Sequence, residues 1–166
     1  NSSILITYPR TDSRERKIIS PSFNGCNGVV FCGITEENVN LGLTHYDPSP
    51  SNIQSNLDKL REFIPEKLEK GKIFLFSRAG YKQNENGKYE LKIVDKYPSD
   101  RYFLDQIREI AENNELDLEI IGYRFGINPF GSNIEVKARG NLVTIRLYDK
   151  FNEYIEFRSL KIESNK

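Results

Sequence analysis

SPSFNGCNGVVFCGITEENVNLGLTHYD, residues 20–47, carries the strongest structural signal in this chain of 166 residues. Residues 29–34 are continuously apolar and rich in β-branched side chains, which is typical of a buried strand. The polar residues 35–38 indicate a turn, and residues 39–44 then alternate apolar and polar side chains as a half-buried strand does. The stretch therefore predicts a β-hairpin.

The open end of this hairpin holds a cysteine on one arm and the only histidine of the chain on the other. With a turn centred on Glu36 and Glu37, paired positions sum to about 70–74, so Cys26 faces a residue between about 44 and 48. His45 lies in that window. The sequence does not fix the register, and a slip by one residue decides whether the two side chains lie on the same face or on opposite faces.

A cysteine beside a histidine suggests nucleophilic catalysis. Cysteine attacks as the thiolate, and a neighbouring imidazole can supply the base or the field that the thiol needs. We therefore predict a thiolate–imidazole pair made by Cys26 and His45. The hydroxyl of Ser20 or Ser22, or a backbone carbonyl, can orient the imidazole as the third member. Asp47 is a weaker candidate for that role.

The residues around the cysteine also suggest an oxyanion site. Gly25 directly precedes Cys26 and Gly28 follows two residues later. Glycines leave the neighbouring backbone sterically open. We predict that backbone N–H groups of Gly25, Cys26 and Asn27 stabilise an oxyanion, with Ser22 in the same loop.

A structural role is the alternative for both cysteines. A cysteine at the end of an apolar strand is commonly a small buried hydrophobe, and a lone histidine commonly belongs to a surface hydrogen-bond network. Cys32 lies in the middle of the predicted strand between Phe31 and Gly33, so we predict that it packs in the core.

Composition limits the functional classes. The chain has 24 basic and 24 acidic residues, and this balance argues against a protein that binds nucleic acid without regard to sequence. No apolar run approaches the roughly 20 residues of a membrane span. One histidine and two cysteines without a metal-ligand spacing predict no metal site, and no phosphate-binding glycine loop or other cofactor motif is present.

The chain length suits one domain, residues 1–166. The absence of methionine is typical of a domain excised from a longer protein or of a processed product. Two cysteines separated by about 20 Å on one strand cannot form a disulfide. Free thiols indicate a reducing compartment, either a bacterial cytoplasm or a host cytosol that receives a secreted protein.

The order of predicted elements indicates an α/β (α+β) fold with a mixed β-sheet sandwich flanked by two to three helices. After a strand at 4–8 and a charged connection at 10–17, the hairpin leads to a helix that starts at Ser49 or Pro50 and breaks near Ile64. The remaining predicted elements are a short helical piece ending at Gly71, a strand at 73–77, a strand at 89–94 after the turn 84–87, a helix from Ser99 to 113, a strand at 118–125, a hairpin of 134–138 with 142–147, and a strand at 154–160.

Residues 20–45 resemble the cysteine glutamine-deamidase superfamily, which includes the chemotaxis receptor deamidases (CheD-like), the cytotoxic necrotizing factor catalytic domains and the lethal-factor deamidase toxin. The toxins carry Leu-Ser-Gly-Cys, and the matching Phe23-Asn24-Gly25-Cys26 shares the Gly-Cys core. Ser20 stands where the chemotaxis enzymes have a threonine six residues before the cysteine. The approach 41–45, Leu-Gly-Leu-Thr-His, resembles the glycine-containing approach to their histidine.

The resemblance extends over the element order to about Leu147, and it implies a protein-glutamine deamidase without a cofactor. In that reaction the Cys26 thiolate attacks the side-chain amide of a glutamine on a partner protein, and His45 protonates the departing ammonia. A primary amine in place of water would make the site a transglutaminase. The Gly-Cys match and the chain start favour a toxin or effector domain over a chemotaxis enzyme. The segment 78–98 and the strand after Asp149 are additions to the family pattern.

Two rivals remain on the same residues. One is a non-catalytic protein-interaction module in which Cys26 is buried. The other is a cysteine peptidase, which would cleave a peptide bond instead of a side-chain amide.

Overall fold

The computed structural model describes residues 1–95, 97–124, 131–140, 142–149 and 156–161. The described elements follow the order expected from the sequence, apart from one additional strand and one missing helical piece. They are β1 (Ser2–Pro9), β2 (Glu15–Phe23), β3 (Gly28–Ile34), β4 (Asn38–His45), α1 (Pro50–Phe63), β5 (Lys70–Gln83), β6 (Tyr89–Ile93), α2 (Pro98–Asn113), β7 (Asp117–Arg124), β8 (Ser132–Arg139), β9 (Leu142–Asp149) and β10 (Glu156–Lys161).

Two sheets form the framework. Six strands make the larger sheet, in the order β1-β4-β3-β5-β6, with β7 also pairing with β5. The β5–β7 pair is parallel, whereas the other pairs of this sheet are antiparallel. The smaller sheet has the order β10-β9-β8-β2. The mixed sheet and the two helices of the described chain confirm the predicted α/β sandwich.

The core lies in two layers on opposite faces of the larger sheet. Val30, Cys32 and Ile34 of β3 face the smaller sheet and join the cluster between the two sheets. Val29 and Phe31 face the other way and pack beneath α1 and α2. The molecule is therefore a three-layer stack of helices, larger sheet and smaller sheet, and strand alternation assigns each side chain to one layer.

The helices cover the larger sheet as their sequences predict. The expected apolar face of α2 is buried throughout, at Phe103, Leu104, Ile107, Ile110 and Ala111. Helix α1 starts at Pro50 after Ser49 and ends at Phe63, next to the predicted break. Neither described helix is long and apolar enough to cross a membrane.

Two local predictions are wrong. The connection expected at 10–17 is partly strand, because β2 already begins at Glu15 and pairs with β8. The short helical piece expected to end at Gly71 is absent, since residues 64–69 contain no helix and β5 begins at Lys70. Long-range sheet pairing outweighs local pattern in both places. The predicted start of the last strand, at 154 and 155, lies outside the described residues.

Candidate active site

A bulge at the end of β2 shapes the site. Ser20 pairs with Ile134 and Phe23 pairs with Ser132, so β2 holds one residue more than β8 between these positions. Ser22 takes a positive φ of 67° at the bulge. The extra residue reverses the side-chain alternation, so that Ser20 and Phe23 both face the space between the sheets.

Residues 24–27 then carry the chain from the smaller sheet to the larger one. Gly25 has a φ of 96°, in the region that favours glycine. Asn27 pairs with Tyr46 through two backbone hydrogen bonds of 2.8 and 3.1 Å. Cys26 therefore lies at a corner where the chain changes sheets, directly before β3.

The register places Cys26 and His45 on one face. Paired positions of β3 and β4 sum to 73, as for Val30 with Leu43, and the Asn27–Tyr46 bridge keeps this sum. Cys26 is therefore the diagonal neighbour of His45, at a separation of about 7–8 Å between Cα atoms, which long side chains bridge. Cys26 also packs against the cluster between the sheets, where His45 meets Phe23.

Two residues of β2 fix the imidazole of His45. Ser20 Oγ lies 2.9 Å from His45 Nδ1, in hydrogen-bond contact. The ring of Phe23 stacks on the imidazole with centroids 3.7 Å apart and an interplanar angle of 14°. Ser20 contacts Nδ1 and Phe23 contacts the ring face, so neither of these contacts occupies Nε2 of His45.

Gly28 leaves room for this stack. A Cβ atom at position 28 would lie 2.7 Å from Cε1 of Phe23 and 2.9 Å from Cδ1 of Ile134. Any larger residue would therefore force the Phe23 ring or the Ile134 side chain to move. Gly28, the second glycine of the site, thus makes space for the ring that stacks on the imidazole.

The pKa shifts of Cys26 and His45 bear on the predicted thiolate–imidazole pair. Burial raises the pKa of the Cys26 thiol, and the negative charge of Asp47 raises it further. Burial lowers the pKa of His45. Both directions favour a neutral thiol and a neutral imidazole in the resting protein over a preformed thiolate–imidazolium pair.

The predicted oxyanion donors need correction. The Gly25 N–H donates to the hydroxyl of Tyr123 at 3.0 Å, and the Asn27 N–H donates to the Tyr46 carbonyl at 2.8 Å. Both groups are used within the fold. Within the described residues, the Cys26 N–H makes no such bond, which leaves it as the donor that an oxyanion at Cys26 would meet.

Tyr123 is a site residue that the sequence analysis missed. Besides accepting the Gly25 N–H, its hydroxyl donates to the Cys26 carbonyl at 2.6 Å. Tyr123 is fully buried and its ring contacts Phe23 edge to face. One side chain of β7 thus fixes the backbone on both sides of the Gly25–Cys26 peptide bond. Burial raises the pKa of its phenol, so the hydroxyl stays protonated.

Two other predicted site residues, Ser22 and Asn27, do not contact His45 in the described bonds. Ser22 is exposed, and its N–H donates to Asn133 Oδ1 at 3.3 Å, so Ser20 is the serine that contacts His45. Asn27 is buried and its Oδ1 accepts a hydrogen bond from Ser77 Oγ at 2.8 Å. Ser77 lies two residues after Leu75 on β5 and therefore shares its face, which packs beneath the helices. The Asn27 side chain bonds to Ser77 and so lies on the sheet face opposite Cys26.

Asp47 does not orient the histidine through any bond of the described chain. Its Oδ1 accepts the Ser49 N–H at 2.9 Å, within the loop before α1. Both cysteines are free. In the part of the chain that the structure describes, no group of three His, Cys, Asp or Glu side chains is arranged to hold a metal ion.

Comparison with known proteins adds no assignment. No protein-family model matches the chain, and no curated protein matches it significantly.

Proposed function

We propose that the chain is a protein-glutamine deamidase that uses Cys26 and His45 without a cofactor. The observation that carries the proposal is the shared face of these two residues, with Ser20 Oγ 2.9 Å from His45 Nδ1. This arrangement supplies a nucleophile, a base and an orienting group at a half-buried corner.

The first step forms a covalent intermediate. His45 Nε2 takes the thiol proton of Cys26 while the sulfur attacks the amide carbon of a glutamine side chain, so that a C–S bond forms. The carbonyl oxygen becomes an oxyanion, which the Cys26 N–H is placed to bind. The raised thiol pKa and the lowered imidazole pKa both fit proton transfer during attack.

The second half returns the enzyme to its starting state. The imidazolium of His45 gives its proton to the amide nitrogen, the C–N bond breaks and ammonia leaves a thioester on Cys26. Water then attacks the thioester while His45 takes one of its protons. The C–S bond breaks, the thiol regains a proton, and glutamine has become glutamate. A primary amine in place of water would give a transglutaminase.

Ser20 and Tyr123 act through their neighbours. In the tautomer in which His45 Nδ1–H donates to Ser20 Oγ, Nε2 has the lone pair that accepts the thiol proton. The Tyr123 hydroxyl holds the Gly25 N–H and the Cys26 carbonyl, which fixes the backbone that carries the nucleophile. Both are positioning residues in this scheme.

A non-catalytic protein-interaction module is the second candidate. The raised pKa of the half-buried Cys26 thiol favours it, since a reactive cysteine commonly has a lowered pKa. Such a module would show no turnover with any amide. A cysteine peptidase would instead cleave the backbone of a test protein.

The partner proposed for the deamidase is a protein that presents a glutamine. The reducing compartment and the toxin or effector role are proposals of the same kind, because they follow from the free thiols and from the Gly-Cys resemblance.

Ammonia release tests the proposal. The chain is incubated with an N-blocked Gln-Gly dipeptide and with unfolded casein, and ammonia is measured with a coupled dehydrogenase. We expect release by the natural chain and by the Cys32→Ala variant, and none by Cys26→Ala. Release that survives Cys26→Ala, or its absence in every sample, would reject the proposed activity, and new casein fragments would indicate a peptidase.

A further inference from the structure

An open cleft lies beside the candidate site, between the edges of the two sheets. It has a volume of about 400 Å³ and is lined by residues 2–4 of β1, residues 17–21 of β2 and Leu43. Among the described strands, β1 pairs only with β4 and β2 pairs only with β8. Each strand therefore has one edge without a described partner along the cleft, where an added strand can form backbone hydrogen bonds.

The cleft is open to solvent and its lining is mainly apolar, with Lys17 and three serines as the polar members. Ile4 pairs with Leu43 and shares its face towards the smaller sheet, yet 47% of Ile4 is exposed. Ile19 of β2 is 49% exposed. Because Ser20 faces the space between the sheets, its neighbour Ile19 lies on the outer face of the smaller sheet, paired with Glu135. Apolar side chains on the two faces of an added strand, one over Ile4 and one over Ile19, would remove apolar surface from water on both partners.

The cleft leads to the histidine. Ser20, which lines the cleft, contacts His45 Nδ1, and Ser2 pairs directly with His45. From the spacing and rise of strands, Cys26 lies roughly 12 Å from Ser2 and roughly 16 Å from Ile4. An extended peptide covers the longer distance with about five residues.

We propose that this cleft binds an extended segment of the protein substrate, four to five residues from the target glutamine, through apolar side chains placed on Ile4 and Ile19. This inference rests on the proposed function in taking Cys26 as the group that meets the glutamine. The strand edges that have no partner among the described residues favour an extended peptide, and continuity with Ser20 and His45 favours the substrate itself as the occupant. The site thus selects unfolded or loop segments with apolar residues at that distance.

Alkylating peptides test the cleft without requiring turnover. Each probe has 13 residues with lysine at both ends and, at its centre, diaminopropionate carrying a chloroacetyl group in place of the glutamine amide. The Cys26 sulfur displaces chloride, so a C–S bond forms, the C–Cl bond breaks and the thiol proton passes to buffer. One probe has valine at the fourth and fifth positions on either side of the centre, and the other has threonine there. Valine and threonine have nearly the same shape, so polarity is the difference.

Labelling rates are measured by mass spectrometry of the intact protein. We expect the valine probe to label Cys26 about tenfold faster than the threonine probe at low probe concentration. The preference should disappear in Ile4→Asp and in Ile19→Asp. It should persist in Leu5→Asp, because Leu5 is 42% exposed but does not line the cleft. Labelling by free chloroacetamide reports whether each variant keeps the fold around Cys26.

Equal rates for the two probes, or a preference that Ile4→Asp and Ile19→Asp leave intact, would overturn the proposal. Binding of a small apolar dye in the cleft together with equal probe rates would assign it to a small ligand and would also overturn the proposal. The glutamine versions of both peptides are assayed for ammonia in parallel. A valine preference in labelling without ammonia release would reject the deamidase and retain the peptide cleft.

Discussion

Cys26 and Cys32 lie six residues apart and face the same layer between the sheets, yet their surroundings differ. Cys32 is in the middle of β3, fully buried, and burial raises the pKa of its thiol to about 12. Cys26 precedes the strand at the corner between the sheets, is only partly buried and is the diagonal neighbour of His45. The two residues have the same side chain and face the same layer. Their positions, one inside the strand and one before its start, therefore distinguish a cysteine that packs in the core from a candidate nucleophile.

The difference arises from what each thiol can contact. A residue inside a strand has its backbone groups paired on both sides and its side chain surrounded by neighbouring strands. At the corner, the backbone of Cys26 is held instead by the single hydroxyl of Tyr123, and its N–H stays available within the described chain. Such strand ends combine a rigid backbone with access from solvent, which an active site requires.

Alkylation of the native protein should separate the two thiols most strongly. We expect iodoacetamide to modify Cys26 at least about 10³-fold faster than Cys32, because Cys32 becomes accessible only when the core opens. Since the pKa of Cys26 is raised above its ordinary value, its rate should keep increasing with pH through pH 9 without a plateau near neutrality. Peptide mapping after timed quenching gives both rates, and a plateau at or below pH 7 would contradict the neutral pair.

Replacement of the base should have the next largest effect. His45→Gln keeps a side chain of similar size but cannot shuttle the proton, so we expect kcat for ammonia release to fall about 10²–10⁴-fold. Alkylation of Cys26 in the free protein should change far less, because the resting thiol does not depend on the imidazole. Unchanged kcat in a folded His45→Gln protein would remove His45 from the mechanism.

Loss of the hydroxyl that holds the corner should have a smaller effect. Tyr123→Phe keeps the ring and leaves the Gly25 N–H and the Cys26 carbonyl without their partner, so we expect a loss of about 1–3 kcal/mol in the free energy of unfolding. A misplaced Cys26 should also lower kcat about tenfold with KM little changed. Tyr102→Phe is the control, since Tyr102 is 48% exposed on α2. Equal effects of the two substitutions would show that Tyr123 has no special role.

Ser20 should contribute least. Ser20→Ala removes one hydrogen bond to the imidazole, so we expect about a threefold to tenfold loss of kcat from a bond worth about 0.5–1.5 kcal/mol. Because His45 is the only histidine, its ring protons give a direct NMR titration, and we expect a pKa below the ordinary 6.5 that moves in Ser20→Ala. Ser22→Ala should leave kcat and this pKa unchanged. A Ser22→Ala effect as large as that of Ser20→Ala would contradict the assignment of the orienting serine.

The sequence predicts the hairpin well and the corner poorly. Turn position limits strand pairing to a few registers, and the observed sum of 73 lies inside the predicted range. The role of Tyr123 was not predictable, because its hydroxyl contacts Gly25 across 98 residues of sequence and no local pattern encodes such a contact. The bulge in β2 was not predictable from the sequence either. Pro21 and Ser22 indicate a weakened strand, but they do not show which strand it pairs with or in which register.

The mass of a glutamine-containing protein after incubation with the chain tests the central claim most directly. Unfolded casein is digested and mapped after treatment with the natural chain, Cys26→Ser and Cys32→Ser. Deamidation by Cys26 predicts a gain of about one dalton at individual glutamines with the natural chain and with Cys32→Ser, and no gain with Cys26→Ser. The same gain with Cys26→Ser, or none with the natural chain on any glutamine, would contradict the account.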